Sequence, residues 1–133
     1  MKRILLADSH EGIRKMIRNL IEKMADWRVC AEASDGLEAV AKARSLCPDL
    51  AILEIAMPKL NGVEAARQIL GLCPKTIVLT DSLDDFRRVT DKLREIGIHG
   101  FVLRTRIGTD LIPAIETVLN GGTWFHIEEQ ERA

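Results

Sequence analysis

Four places in the sequence set polar residues directly after a short apolar run. Asp8-Ser9 follows Ile4-Leu5-Leu6-Ala7, Glu54 follows Leu50-Ala51-Ile52-Leu53, Thr80-Asp81-Ser82 follows Ile77-Val78-Leu79, and Arg104 follows Phe101-Val102-Leu103. Carboxylates bind cations or act as bases, hydroxyls hydrogen-bond to anions, and arginine offers a permanently charged planar fork to a carboxylate or phosphate. Acids, hydroxyls and one fixed cation, each at the end of a buried strand, make a ligand or reaction site if the strands run parallel. Asp8 and Glu54 also admit a small hydrolase working through a carboxylate pair. Nothing else in the sequence supports that alternative, because a Gly-rich phosphate loop and a Cys–His or Ser–His arrangement are both missing.

The elements that must position these residues alternate regularly. Apolar or alternating runs at Arg3–Ala7, Trp27–Ala33, Asp49–Leu53, Thr76–Leu79 and His99–Leu103 predict five strands. Between them lie patterns of helical period. The first carries Ile13, Met16, Ile17, Leu20, Ile21 and Met24 on one face, and the others cover Leu37–Leu46, Asn61–Leu72 and Leu83–Ile96. The last helix is expected from Thr109, as N-cap, to Asn120, with Pro113 in its first turn. Cys47-Pro48 and Cys73-Pro74 end the second and third helices, and Gly97 and Gly121-Gly122 end the last two. Five strand–helix repeats imply an α/β, doubly wound parallel sheet with helices on both faces and polar residues gathered at its carboxyl edge.

At 133 residues, with 47% apolar and 29% charged residues and a net charge of −1, the chain suits one globular domain. The charge gives no support for a nucleic acid or membrane partner. No signal peptide or membrane-spanning run is present, and a cytoplasmic location is expected. Cys30, Cys47 and Cys73 lack zinc-ligand spacing and are expected as reduced thiols. His10, His99 and His126 are assigned to a helix start, a strand start and the tail rather than to a site.

From Lys2 to about Phe125 the chain resembles the receiver domain of bacterial two-component response regulators. The resemblance is carried by Leu6-Ala7-Asp8, by Glu54-Ile55-Ala56-Met57-Pro58-Lys59-Leu60-Asn61-Gly62, by Val78-Leu79-Thr80 and by Gly100-Phe101-Val102-Leu103-Arg104. It implies a flavodoxin-like, five-stranded sheet of order 2-1-3-4-5 with five helices, a receiver domain over 1–125 and a polar tail over 126–133. It also implies a phosphoacceptor position at Glu54, a metal pocket of Asp8, Ser9, Glu54 and the Ala56 carbonyl, and phosphate-binding or switch positions at Thr80, Phe101 and Arg104. The implied partner is a histidine kinase or effector, with homodimerisation expected through the fourth helix, fifth strand and fifth helix. Asn120–Phe125 resembles the receiver end of regulators that continue into a DNA-binding domain. Only eight residues follow Phe125, so direct DNA binding is not expected and the chain is taken as a stand-alone receiver or a truncated regulator.

Several positions depart from the family pattern. Ser9 replaces a second acid, Glu54 replaces the phosphoacceptor aspartate, Arg104 stands for a lysine, and Asp81 for a small residue. Mg²⁺ demands near-octahedral oxygen ligands, so a weakened metal site is expected. The extra methylene of Glu54 moves its carboxylate roughly 1.5 Å outward, toward where a phosphate would meet Arg104. A Glu54–Arg104 ion pair replacing metal and phosphate is therefore expected, with Phe101 turned inward. The module would then act without phosphorylation, and a conventional Mg²⁺-dependent receiver is the alternative.

Overall fold

The computed structural model describes residues 1–72 and 74–125; Cys73, His126 and the tail 126–133 lie outside the described residues. Strand β1 (Lys2–Ala7) is followed by α1 (Glu11–Glu22), β2 (Trp27–Ala33), α2 (Gly36–Leu46), β3 (Leu50–Glu54), α3 (Gly62–Leu70), β4 (Lys75–Thr80), α4 (Leu83–Ile96) and β5 (Gly100–Leu103). A 3₁₀ turn (Arg104–Arg106) and a wide π turn (Ile107–Leu111) then lead into α5 (Ile112–Leu119). All four strand pairings are parallel, in the order β2-β1-β3-β4-β5. This is the expected doubly wound flavodoxin-like sheet.

Side chains alternate across a strand, so each strand feeds two cores. On one face Leu5, Ala7, Ala51, Leu53, Val78 and Phe101 pack under α2, α3 and α4. On the other, Ile4, Leu6, Leu50, Ile52, Ile77, Leu79 and Val102 pack under α1 and α5. The central strands β1 and β3 are apolar on both faces, which is why their sequences show continuous runs. Met16 is an exception on α1: it belongs to the periodic stripe but lies 42% exposed, while Ile17 and Ile21 are sealed.

Side-chain caps fix where helices leave the carboxyl edge. Asp35 accepts from the Glu38 amide, Asn61 from Glu64 and Ser82 from Asp85. The start of α5 departs from expectation. Thr109 is not its N-cap; its hydroxyl lies against Asp110 Oδ1 (3.1 Å), and regular helix begins only at Ile112. Pro113 has no amide to return to the Thr109 carbonyl, and the chain widens into the π turn instead. The cysteines differ as well: Cys30 is a free thiol, but Cys47, at the left-handed end of α2 (φ 44°), is disulfide-bonded rather than reduced. Among the described residues no helix is long and apolar enough to cross a membrane.

Candidate functional site

β1 and β3 are neighbours in register, Ala7 opposite Leu53, so the residues that follow them, Asp8 and Glu54, emerge side by side. The positions are sealed: Asp8 is 0% and Glu54 2% exposed. Gly62 makes the approach of α3 beneath them feasible, since a Cβ there would lie 2.3 Å from the Glu54 carbonyl oxygen.

Arg104, one residue past β5, reaches back across β4 to these acids. Its Nη2 lies 2.6 Å from Asp8 Oδ2 and 2.9 Å from Glu54 Oε2, and its Nη1 3.1 Å from Asp81 Oδ1. The other Glu54 oxygen, Oε1, accepts from both the backbone N–H and the hydroxyl of Ser9, each at 2.8 Å. Ser9 therefore acts on Glu54 as a double donor, holding one oxygen while the other faces the guanidinium. Arg104 Nε is buried with no hydrogen-bond partner among the described residues.

His10 belongs to the same cluster, contrary to its assignment as a plain helix start. It is the N-cap of α1, but its ring makes no cap bond. Its backbone N–H donates to Asp8 Oδ1 at 2.8 Å, and its Nδ1 lies 3.1 Å from the same oxygen and 3.4 Å from Glu54 Oε2. Asp8, His10 and Glu54 each present one ligand atom, all within 4.8 Å of one another. The only signal in the sequence is that His10 follows Asp8 by two residues, which says nothing until the ring folds back.

Burial raises both acids, but their net shifts are opposite. Asp8 is pushed above the ordinary carboxylate range by loss of water and by the Glu54 charge, which the His10 amide and Arg104 offset only in part. Glu54 also suffers from burial, but the two Ser9 donors and Arg104 outweigh it and hold the carboxyl below its usual range. Arg104 is held above its ordinary value, its desolvation being outweighed by Asp8, Glu54 and Asp81.

The remaining expected positions are further out. Thr80 is buried, and its hydroxyl donates to the Ser82 carbonyl (3.4 Å) rather than to Glu54. Phe101 is fully buried, its ring 4.7 Å from that of Phe86, which is the inward orientation. Ala56 is exposed in the turn after β3 and lines an open groove of about 400 Å³ between α3 and α4.

Residues 4–116 match the family model described as response regulator receiver domain. Among curated proteins, the transcriptional regulatory protein DegU of Brevibacillus brevis is 30% identical over 92% of this chain and 52% of its own length. The response regulator protein VraR of Staphylococcus aureus is 30% identical over 95% of this chain and 60% of its own. The chain thus spans a little over half the length of these relatives. Among solved structures, a two-component response regulator of the LuxR family from Aurantimonas sp. SI85-9A1 superposes with a TM-score of 0.85 at 29% identity, covering 94% of this chain and 89% of that one.

Proposed function

The chain belongs to the response regulator receiver domain family, and from that premise we propose that it is a receiver module of two-component signalling whose output does not depend on phosphorylation of residue 54. The observation that carries this reading is the Arg104 guanidinium, which bridges Asp8 and Glu54 at 2.6 and 2.9 Å. Receiver domains bind Mg²⁺ at an acidic site. Here the facing oxygens of both acids are directed at an internal cation, and the nearest additional donor is a histidine nitrogen. Those residues do not fit an ion that seeks about six oxygens in near-ideal octahedral geometry.

Phosphoryl transfer rests on in-line positioning and charge neutralisation. Glu54 Oε1 is bound by two Ser9 donors and Oε2 by Arg104, so neither oxygen is free to attack. The pair instead supplies a fixed carboxylate–cation contact across the carboxyl edge, and buried Phe101 accompanies it. The partner in this reading is a histidine kinase or effector protein, meeting the module on α4, β5 and α5, where two copies would also pair.

Acetyl phosphate with Mg²⁺, followed by intact-mass measurement, tests the reading. We expect no phosphoryl adduct on the wild type and partial labelling when Ser9→Asp, Glu54→Asp and Arg104→Lys are combined. Stoichiometric labelling of Glu54 in the wild type would overturn it.

A further inference from the structure

We infer that the outer border of β5, flanked by the arginines of α4, is a seat for an extended acidic segment, and that residues 126–133 of this chain are its occupant. The seat is already begun. Trp124 N–H donates to the His99 carbonyl and Phe101 N–H to the Trp124 carbonyl, so Trp124 bridges Gly100 as the first step of a parallel pairing. Backbone groups of successive strand residues face opposite neighbours. The next outward groups of β5 are therefore the Phe101 carbonyl and the Leu103 N–H. Continued in the same register, residue 126 comes opposite Val102 and offers an N–H to the first and a carbonyl to the second.

Side chains alternate in the same way. Trp124 packs on the core under α1 and α5, and Phe125 on the core that α4 covers. Continued alternation puts Ile127 and Glu129 on the α4 side with Phe125. The Arg94 guanidinium sits 4.5 Å above the Phe125 ring and sets the level of the segment against the helix. Arg87 lies two turns earlier on the same side of α4, about 10.5 Å along its axis. The extended step from Phe125 to Glu129 covers about 13 Å, a difference that an arginine side chain spans. Because α4 returns between the parallel strands β4 and β5, both steps lead toward the carboxyl edge. The charges agree: Glu128, Glu129 and Glu131 against one Arg132 in the segment, and exposed Arg87, Arg88 and Arg94 on the helix. Asp91, between those arginines, falls nearest the apolar Ile127 rather than an acid. On the functional reading, which gives partners the α4–β5–α5 face, a partner gains that face by displacing this segment.

Residue-resolved amide hydrogen exchange by NMR on the full chain decides the matter, with the Leu103 rate read relative to that of Phe101, whose amide Trp124 already holds. His126→Pro removes the N–H that the Phe101 carbonyl would accept and keeps the extended backbone. It should speed Leu103 exchange at least about tenfold relative to Phe101. Arg87→Glu and Glu129→Arg, each alone, should speed it by about threefold or more, and the two combined should return it toward the wild-type ratio. An unchanged ratio in His126→Pro overturns the proposal, and so does a combined variant that exchanges as fast as the single ones. If His126→Pro does not fold, as checked by circular dichroism, the charge exchange decides alone. Protection of Leu103 that fades on dilution overturns it too, because a second molecule would then supply the segment. The seat and the functional reading fail separately: labelling of Glu54 by acetyl phosphate would sink that reading and leave these exchange ratios untouched.

Discussion

At the scale of single residues, Glu54 and Asp8 share one arginine and contribute to stability with opposite signs. Glu54 has a folded pKa below its unfolded one, so its contribution is present above the ordinary carboxylate range and lost as pH falls through the lowered value. Glu54→Gln should cost about 1–3 kcal/mol near neutral pH, and its denaturation curve should converge on the wild type's in acid. Asp8 has a raised pKa, so its ionised form is a cost that grows as pH rises from the unfolded value to the folded one. Asp8→Asn should therefore be more stable than wild type near neutral pH, by about 1 kcal/mol, in the same urea titration. Asp8, Ser9, Glu54 and Arg104 were legible in the sequence because each directly follows an apolar strand. His10 was not, since a ring that turns back over the preceding turn leaves no periodic trace.

At the scale of elements, boundaries followed local chemistry where that chemistry was complete. Asp35, Asn61, Ser82 and Gly97 each sit at the helix end that their side chain or backbone favours. Thr109 had the right type for a cap but lost to Pro113, whose missing amide acts four residues away. The disulfide at Cys47 was hidden for a different reason: spacing along the chain does not report distance between loops. Gly62→Ala should be severe, because the new Cβ would meet the Glu54 backbone at 2.3 Å and shift the carboxylate that Arg104 engages. A loss of more than about 2 kcal/mol in thermal or urea unfolding is expected. The β4–β5 junction carries a separate pH response. His99 Nδ1 accepts from the Thr76 amide at 3.1 Å, and burial beside Lys75 holds its pKa below the ordinary histidine range. Its contribution is present above the unfolded value and lost as pH falls through the folded one, so stability should drop as pH falls below about 6.5. His99→Asn, which keeps an acceptor but does not titrate, should flatten that limb of the pH–stability curve.

At the scale of the whole molecule, the two-faced core was the most legible property, because strand parity alone assigns alternate residues to opposite faces. What parity could not give is how far the faces are coupled to the pocket. Phe101 is fully buried on the α2–α4 face, its ring tilted by 37° against that of Phe86, and is only three residues from Arg104. Phe101→Ala should cost about 3–5 kcal/mol in equilibrium unfolding, and a much smaller loss would mean that the ring is not part of the packed core.

The segment after α5 lies alongside the last strand: Gly100 bridges Trp124, Phe101 N–H donates to the Trp124 carbonyl, and Trp124 N–H to that of His99. One of the two borders of the sheet is thereby occupied by the chain itself, and Arg94 over the Phe125 ring helps to hold the segment there. A sheet with both borders bare is a template for adding strands from neighbouring molecules. Among the described residues, the border that stays unpaired is that of β2, whose Arg28 is exposed. Trimming the chain before Trp124 would bare this second border as well, leaving β5 open to a strand from another molecule.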